Sequence, residues 1–344
     1  MPPSSAVIAL DANGADRGPA TVAEGARRSG ERVLLFGPAA ALGESGGEVV
    51  NAPIKIGAEE EPVRAVRSKP DASIVQAAQA VAEGRAGALV SAGSTGPTLA
   101  AATLALKRLR GVHRPALAAV VPAPAGHVLL LDAGANVEVR PEHLVQFAYM
   151  GAAFVESVWG IEGPSVGLLS VGAERGKGTP DVIAARERLE SGPLNFVGTV
   201  EGFDLPAAST QVVVTDGFTG NVALKVCEGT SRVVGRAVRT AIRSGPVSSL
   251  GGLLVRRAIG RLRDGLDPEN MGGAILLGLG KPVIVAHGSF GAIGIANAIG
   301  LARRAVDERM VERTAAALED AGALRSAPAG SVDGVTPQTG TTDR

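Results

Sequence analysis

Short uninterrupted runs of apolar residues recur along the chain, and most of them end in glycine or an acidic residue. They are rich in Val, Ile and Leu and lack polar alternation, which is typical of strands buried on both faces. The runs span 7–11, 32–37, 88–93, 116–122, 127–132, 165–172, 211–217 and 282–288. The sequence therefore predicts strands that lie mostly inside a sheet.

Helical periodicity separates several of these runs. The helical patterns cover 72–83, 97–108, 141–159, 180–190 and 291–323. Alternating strands and helices favour an α/β fold with three layers, in which helices cover both faces of a mostly parallel sheet. Such a sheet binds its ligand beyond the carboxyl ends of the strands, so the polar and glycine residues that follow each strand are the candidate site.

Two regions depart from this alternation. Residues 220–264 show no strand signal and contain two helical stretches separated by Ser244, Gly245 and Pro246, which indicates a helix pair projecting from the sheet. The segment 326–344 lacks periodicity and is rich in small and polar residues, so we expect a disordered tail. The remainder, 1–325, is predicted to be a single catalytic domain that carries the helix pair as an insertion.

Two uncharged runs, 86–106 and 282–302, are long enough to raise the question of a membrane span. Each is interrupted in its middle, the first by 94–97 and the second by Gly288 and Ser289, which indicates a strand, a turn and a helix. The first five residues lack the basic region of a signal peptide. We therefore expect a cytoplasmic protein.

Composition narrows the class of function. Glycine accounts for 47 of 344 residues while aromatic residues make up 3%, which suggests many tight turns where backbone approaches a ligand. The 34 basic and 34 acidic residues balance, so a uniformly basic nucleic-acid surface is not expected. Cys227 is the single cysteine, which excludes an intrachain disulfide and a cysteine-based zinc cluster.

The loop 172–178 follows a predicted strand and precedes Pro180, a suitable first residue of a helix. It resembles a P-loop but is one residue too short and lacks the Ser or Thr after Lys177. No dinucleotide fingerprint with the correct spacing follows a strand. One interpretation is that Lys177, Gly176 and Gly178 hold an anion at the helix N-terminus, and the alternative is a solvated turn.

Other polar residues follow strands in the same way. Asn136 can donate to an oxyanion or form a turn, and Asn221 and Lys225 lie one helical turn apart, so that both can face a ligand. Helix capping or turn formation also explains several members of this group. The candidates are Asp11, Gly14, Ser94, Thr95, Gly96, Asn136, Asp216, Gly220, Asn221, Lys225, His287 and Ser289.

Together these segments resemble a known family. They are DANGADRGP (11–19), SAGSTG (91–96), RPALAAVVP (114–122), LLDAGANVEVRPEHLVQFAYMG (130–151), VGLLSVGAERGKG (166–178), NFVGTVEG (195–202), VVVTDGFTGNVALKVCEG (212–229), GGAILLG (272–278) and HGS (287–289). The series is similar to the phosphate acyltransferase (PlsX) family of bacterial phospholipid synthesis. The resemblance covers about residues 6–320.

The resemblance implies a three-layer fold similar to phosphate acetyltransferases and isopropylmalate dehydrogenases, in a homodimer. It implies that acyl-[acyl-carrier-protein] and inorganic phosphate react to give acyl phosphate and free carrier protein, and that a downstream membrane acyltransferase uses the product. This sequence has Asn13, Ala15, Ser94, Phe290 and Gly291 where the family pattern usually differs. These departures bear on acyl-chain preference and turnover.

The implied reaction requires neither a metal nor a nucleotide cofactor, because phosphate is itself a competent nucleophile at neutral pH. The enzyme has to place phosphate against the thioester carbonyl and stabilise the oxyanion. Our hypothesis assigns Lys177, Ser94, Thr95 and the glycine turns to phosphate. Asn136, Asn221 and Lys225 are assigned to the same pocket, with His287 as a proton donor.

The predicted helix pair is strongly basic. Between Gly229 and Arg263 it contains eight arginines and no acidic residue. Leu253, Leu254, Arg256, Arg257, Ile259 and Arg261 form a cationic amphipathic segment. It can contact an anionic membrane surface or the acidic carrier protein, or it is simply a solvated or dimer-facing helix pair. The resemblance supports peripheral membrane association.

The sequence is also compatible with two other classes of function. A dehydrogenase on the related fold requires a dinucleotide site and metal-binding carboxylates, and the missing glycine fingerprint weakens that alternative. The departures from the family pattern also leave room for a non-catalytic scaffold that binds carrier protein or membrane.

Overall fold

The computed structural model describes residues 6–324. In this part of the chain, eleven strands form one sheet in the order β3-β2-β1-β4-β11-β10-β5-β6-β9-β7-β8. The strands are β1 (Ile8–Asp11), β2 (Val33–Gly37), β3 (Glu48–Asn51), β4 (Ala88–Ser91), β5 (Ala116–Ala123), β6 (Gly126–Leu131), β7 (Val166–Leu169), β8 (Phe196–Val200), β9 (Val212–Val214), β10 (Ala274–Leu277) and β11 (Val283–Val285).

The two halves of the sheet run in opposite directions. Strands β3, β2, β1, β4 and β11 are mutually parallel, and β6, β9, β7 and β8 are mutually parallel. Three antiparallel pairings, β11 with β10, β10 with β5 and β5 with β6, lie between them. The carboxyl ends of β1, β4 and β11 therefore lie at one edge of the sheet, and those of β6, β7 and β9 lie at the opposite edge.

Helices cover both faces of the sheet. The α-helices are α1 (Pro19–Ser29), α2 (Ala39–Leu42), α3 (Pro62–Ser68), α4 (Ser73–Ala82), α5 (Thr95–Leu106), α6 (Pro141–Phe154), α7 (Pro180–Glu190), α8 (Asp204–Ala207), α9 (Gly217–Ile242), α10 (Pro246–Gly265), α11 (Ala292–Asp307) and α12 (Met310–Asp320). Helices α1, α6, α7, α11 and α12 pack on one face. Helices α3, α4 and α5 cover the other face of the first half, while α8 and the start of α9 cover that face of the second half.

Alternate residues of each strand supply the two cores. In β1, Ile8 and Leu10 pack with α1 and α11, whereas Ala9 packs with α4. All three are fully buried. A strand covered on both faces has no solvent-facing position for polar residues, which is why these segments are continuous apolar runs. The predicted α/β fold with three layers and a mostly parallel sheet is confirmed.

Three strands were not predicted from the apolar runs in the sequence. The edge strand β3 is partly exposed, and the edge strand β8 contains Gly198, so neither shows a continuous apolar run. Strand β10 follows Gly272 and Gly273 closely and pairs antiparallel on both sides. Local periodicity does not report such pairing, because the partners lie far away in sequence.

Two predicted helices also differ from the structure. The helix predicted over 291–323 is wrong as a single element, since Arg309 adopts the left-handed conformation, with φ 51°, between α11 and α12. The pattern over 141–159 forms α6 followed by a π-helical turn, Val155–Trp159. The predicted tail, 326–344, lies outside the described residues.

Helices α9 and α10 form the predicted pair. Within α9 only Gly217 and Gly220 are buried, and no residue of α10 is buried. The two helices meet closely at Gly252, where a Cβ would lie 2.3 Å from Cγ2 of Ile242. Throughout residues 6–324, no helix combines the length and apolar character needed to cross a membrane.

Candidate active site

The predicted site residues separate into two groups at opposite edges of the sheet. At the first edge, Asp11, Gly14, Ser94–Gly96, His287 and Ser289 follow β1, β4 and β11. At the second edge, Asn136, Gly176–Gly178, Asp216, Gly220, Asn221 and Lys225 follow β6, β7 and β9. The expectation of one pocket shared by all of these residues is wrong, because the intervening antiparallel strands reverse the direction of the sheet.

A buried hydroxyl network surrounds Asp11 at the first edge. The hydroxyl of Ser91 donates to Oδ2 of Asp11 at 2.8 Å, and the hydroxyl of Thr98 donates to Oγ of Ser91 at 3.0 Å. Burial raises the pKa of the Asp11 carboxyl, while hydrogen bonds from Ser73, Ser91 and the Asn13 N–H oppose the rise. Asp11 is thus an interior group rather than an exposed ligand for substrate.

A small cavity adjoins this network. Asp11, Gly14, Lys55, Ser73 and Ser94 are among the residues that line it. A Cβ on Gly14 would lie 2.5 Å from the Cα of Gly93, so a side chain at position 14 would separate the loops that follow β1 and β4. The contribution of Gly14 to the site is therefore close packing between two loops.

Ser94 is the N-cap residue of α5, but its side chain forms no capping hydrogen bond. Its carbonyl oxygen accepts hydrogen bonds from the N–H and the hydroxyl of Thr98. Thr95 is exposed, and Gly96 packs against Pro62, whose Cγ would lie 3.0 Å from an added Cβ. Hydroxyls and backbone N–H groups thus gather at this helix start.

His287 and Ser289 contact each other after β11. The backbone N–H of Ser289 donates to Nδ1 of His287 at 3.2 Å, and the Ser289 hydroxyl lies 2.8 Å from the same nitrogen. Because Nδ1 accepts, a neutral imidazole carries its proton on Nε2. The carboxylate of Asp16 lies beside Gly288, 2.9 Å from the position of an added Cβ.

Asp132 organises the second edge. Its Oδ1 accepts from the N–H groups of Leu117, Gly134 and Ala135, at 2.9–3.1 Å. Its Oδ2 accepts from the backbone N–H and the side-chain amide of Asn136, both at 2.7 Å. Burial raises the pKa of this carboxyl, and hydrogen bonds from the N–H groups of Ala135, Gly134 and Leu117 and from the Asn136 side chain oppose that rise. The result is a fixed loop after β6.

Asn136 is not available as an oxyanion donor, which corrects the prediction. Its amide nitrogen donates to Oδ2 of Asp132 and to the carbonyl oxygen of Pro115, at 2.7 and 2.8 Å. The residue is buried. Because both amide hydrogens are engaged inside the protein, Asn136 shapes the loop and does not face substrate.

Gly220 and Asp216 likewise have structural roles. A Cβ on Gly220 would lie 1.9 Å from the carbonyl oxygen of Asp132, so glycine lets the start of α9 pack against the fixed loop. Asp216 caps α9, because Oδ1 accepts from the N–H of Thr219 and Oδ2 accepts from its hydroxyl. These intrachain contacts account for both residues, and a contact of either with substrate stays a prediction.

Asn221 and Lys225 lie on the second and third turns of α9. The amide nitrogen of Asn221 lies 3.6 Å from the position of an added Cβ on Gly134, and within residues 6–324 this amide forms no hydrogen bond. Lys225 is exposed. The structure therefore brings the Asn221 amide to the surface of the fixed loop and leaves the Lys225 side chain exposed one turn further along the same helix.

The loop from Gly172 to Gly178 lies at the same edge. Lys177 is exposed, and its aliphatic chain packs over Gly172 together with the carboxylate of Glu174. Gly176 and Gly178 have φ values of 87° and 111°, which favour glycine. The Ser170 hydroxyl beneath Gly178 is buried and has no hydrogen-bond partner among residues 6–324. Thr179 then caps α7 through the N–H of Val182.

Several residues of these networks carried no sequence signal. Ser73 and Lys55 line the first-edge cavity without belonging to a motif, and Ser170 is an ordinary strand-end serine. Asp132, by contrast, is recognisable as the residue that ends the most apolar strand. Among the described residues, no group of three or more His, Cys, Asp or Glu side chains is arranged to hold a metal ion.

The predicted contact residues of the helix pair are at the surface. Leu253, Leu254, Arg256, Arg257 and Arg261 are exposed, and Ile259 is half-buried. The hydrophobic and cationic side chains of α10 are thus presented to the outside of this chain. The geometry is compatible with each of the three alternatives considered for this segment.

The fold defines a class of protein. A phosphotransacetylase from Streptococcus pyogenes superposes with a TM-score of 0.56, at 18% identity, over 88% of this chain and 95% of that one. At this level of identity, the similarity shows a common fold. The architecture is therefore that of the phosphotransacetylases, an α/β fold built on a large mixed sheet.

Sequence comparison places the chain more narrowly. Residues 6–313 match the family described as "Fatty acid synthesis protein". The phosphate acyltransferase of Elusimicrobium minutum (strain Pei191) is 43% identical over 318 residues, which cover 88% of this chain and 93% of that protein. The phosphate acyltransferase of Anaeromyxobacter sp. (strain Fw109-5) is 41% identical over 338 residues, 94% of each chain. The chain therefore belongs to the family that includes these phosphate acyltransferases, and it is an acyltransferase.

Proposed function

We propose that this enzyme transfers the acyl group of an acyl-[acyl-carrier-protein] to inorganic phosphate, which gives acyl phosphate and free carrier protein. The observation that carries the proposal is the match, over nearly the whole chain, to relatives named phosphate acyltransferase. The acyl product would feed glycerophospholipid synthesis through a downstream membrane acyltransferase.

The second edge is the better place for phosphate. The exposed side chains of Lys177 and Lys225 supply positive charge there, and Asn221 supplies an amide donor. Two carboxylates at this edge are already satisfied, since Asp132 accepts five N–H bonds and Asp216 caps α9, whereas the carboxylate of Glu174 lies beside Lys177. Negative charge at this edge is thus partly neutralised by local donors, which favours an incoming anion.

The reaction itself needs positioning and charge stabilisation. A phosphate oxygen attacks the thioester carbonyl, the carbonyl π electrons move to oxygen, and collapse of the tetrahedral intermediate breaks the carbon–sulfur bond. The thiolate leaves and takes up a proton from solvent or from a nearby acid. We assign Asn221 to the oxyanion and Lys177 and Lys225 to phosphate, because fixed donors at a developing charge give the largest rate effect.

The first edge then has a different part in this proposal. Ser94, Thr95, His287 and Ser289 lie beyond the carboxyl ends of β4 and β11, away from the lysines. In this proposal His287 donates a proton in the reaction only when a second surface brings it to the thioester. The homodimer implied by the family would supply such a surface.

The helix pair is proposed as the contact with an anionic membrane. Its surface combines exposed Leu253 and Leu254 with Arg256, Arg257 and Arg261, and each surface arginine adds roughly 1 kcal/mol of attraction to anionic lipid. Co-sedimentation with anionic vesicles and not with neutral vesicles is expected. Co-sedimentation with neither would contradict membrane contact and would leave two roles for this surface, docking of the carrier protein or a solvated or dimer-facing helix pair.

The decisive experiment uses the full chain, an acyl-[acyl-carrier-protein] thioester and labelled inorganic phosphate. We expect label to enter a hydroxylamine-sensitive acyl phosphate while free carrier thiol appears in equal amount. Omission of phosphate should abolish both products. Release of thiol without labelled product would indicate hydrolysis and would contradict the proposal.

A further inference from the structure

Four large apolar side chains are strongly exposed at the second edge of the sheet. Val137, Phe218, Val171 and Phe203 have exposed fractions of 66%, 63%, 81% and 66%. They follow the carboxyl ends of β6, β9, β7 and β8, in the order in which these strands lie side by side. We refer to these four residues as the apolar rim.

Backbone contacts hold the members of the rim in register. The N–H of Gly217 donates to the carbonyl oxygen of Asn136 at 2.7 Å, so the residues that directly precede Phe218 and Val137 are hydrogen-bonded to each other. The N–H of Ser170 donates to the carbonyl oxygen of Val200 at 2.8 Å, which links the segment of Val171 to that of Phe203. Adjacent strands are about 4.8 Å apart, so four strand ends extend over roughly 14 Å.

Packing of the hydrophobic core does not explain why these four exposed side chains are apolar. The core beneath them is complete without them, since Leu130, Val213 and Leu169 are buried in the cluster under the same strands. Three rim residues stand in connecting segments and Phe218 stands on the exposed first turn of α9, and polar residues are the usual choice at such surface positions. A contiguous exposed apolar patch with polar surroundings is characteristic of a binding surface.

The groups that we assign to phosphate and to the oxyanion follow the rim residues closely along the chain. Val171 precedes the loop that carries Lys177, and Phe218 lies in the first turn of α9, three residues before Asn221. A ligand that suits both features has an anionic or polar head and a long apolar tail. A fatty acyl thioester that reacts with phosphate has this distribution of charge and hydrocarbon.

We propose that the apolar rim binds the hydrocarbon chain of the acyl substrate and sets the preference for chain length. The inference rests on the proposed function, because the acyl chain must lie beside the phosphate site. The carbonyl lies near Asn221 and Lys177, and the chain extends across the strand ends toward Phe203. Each added pair of methylene groups buries more of the rim, so longer chains bind more tightly.

The test compares butanoyl- and hexadecanoyl-carrier protein as substrates for Phe218→Ser, Phe203→Ser and Val171→Ser. The matched control is Ile161→Ser, because Ile161 is exposed by 40% and lies before β7, at the opposite end of that strand. We expect kcat/KM for the long chain to fall about tenfold in each phenylalanine variant, with a change below twofold for the short chain. Ile161→Ser should behave as the parent enzyme does toward both substrates.

Thermal unfolding of each variant separates loss of fold from loss of binding. An equal loss with both substrates, or no loss with either, would overturn the proposal. A change of sedimentation coefficient in the phenylalanine variants without a change in chain-length preference would show instead that a second copy of the chain covers the rim. Exposed positions tolerate serine well, so we expect unfolding temperatures close to the parent value.

A binding measurement distinguishes failure of this inference from failure of the proposed function. Without phosphate, the parent chain should bind hexadecanoyl-carrier protein at least tenfold more tightly than butanoyl-carrier protein, and Phe218→Ser should reduce this ratio. If the parent chain forms no acyl phosphate but still binds the long-chain carrier more tightly, the proposed reaction is contradicted and the role of the apolar rim is supported. If the parent chain forms acyl phosphate and binds both carriers with equal affinity, only the proposed role of the apolar rim is contradicted.

Discussion

The backbone N–H of Gly217 donates a 2.7 Å hydrogen bond to the carbonyl oxygen of Asn136. This bond fastens the first residue of α9 to the loop after β6, which Asp132 holds through five hydrogen bonds. A helix that projects from the domain is thereby anchored at the second edge of the sheet. The positions of Asn221 and Lys225 depend directly on this anchor, because they lie within the next two turns.

The close approach of α9 requires glycine at its start. Gly220→Ala places a Cβ 1.9 Å from the carbonyl oxygen of Asp132, which forces the helix away from the loop. We expect a loss of unfolding free energy of about 1–3 kcal/mol and a marked loss of activity. The control is Gly235→Ala in the same helix, where an added Cβ meets nothing within 4 Å. Urea denaturation should show the control to be as stable as the parent or up to about 1 kcal/mol more stable.

Lys177 is expected to act on phosphate rather than on the acyl carrier. Lys177→Ala should raise the KM for phosphate by roughly ten- to a hundredfold, since a charged hydrogen bond contributes about 1.5–3 kcal/mol. The KM for the acyl carrier should change little. Lys281→Ala serves as control, because Lys281 is also exposed but precedes β11, which is separated from β7 by four other strands of the sheet. Unchanged phosphate dependence in Lys177→Ala would remove this residue from the site.

Replacement of Asn221 should lower kcat, whereas replacement of Asn136 should lower the free energy of unfolding. Asn221→Ala removes an unengaged amide and is expected to lower kcat by about 10²–10³ with little effect on unfolding. Asn136→Ala leaves the Pro115 carbonyl oxygen without its donor and should lower the unfolding free energy by about 1–3 kcal/mol. Kinetics and thermal melts on both variants test the contrast. A large stability loss in Asn221→Ala would refute the assignment of this residue to the oxyanion.

Local sequence patterns were sufficient for most of the fold. Continuous apolar runs identified strands such as β6 and β9 because burial on both faces leaves no polar positions. The helix pair was evident from the absence of strand signals and from the break at Ser244–Pro246. The direction of each strand could not be predicted from local patterns, because it depends on pairings such as that of Leu276 with Leu117, which are distant in sequence.

The candidate site was predicted in its residues but not in its arrangement. Lys177 and Asn221 were identified because each follows a strand and a glycine turn. The role of Asn136 depends on the carbonyl oxygen of Pro115, which lies 21 positions earlier in the chain, so local spacing could not show that its amide is engaged. Ser170 and Ser73 carry no local signal, because their surroundings come from other elements.

The buried carboxyl of Asp11 should make stability depend on pH in an unusual direction. Desolvation raises its pKa above the ordinary value of 3.8, so the folded chain binds this proton more tightly than the unfolded chain does. The contribution of Asp11 to stability is therefore complete below pH 3.8 and is lost as the pH rises through the raised pKa. Asp11→Asn cannot ionise, and its stability relative to the parent should increase across that window.

The comparison of unfolding free energies at a series of pH values tests this sign. Glu24→Gln is the control, because the guanidinium groups of Arg28 and Arg27 lower the pKa of the Glu24 carboxyl at the surface. For Glu24 the stabilising contribution is present at neutral pH and is lost as the pH falls, so the two variants should deviate from the parent in opposite directions. If Asp11→Asn instead loses stability relative to the parent as the pH rises, the Asp11 carboxylate is stabilised in its ionised form by Ser73, Ser91 and Asn13.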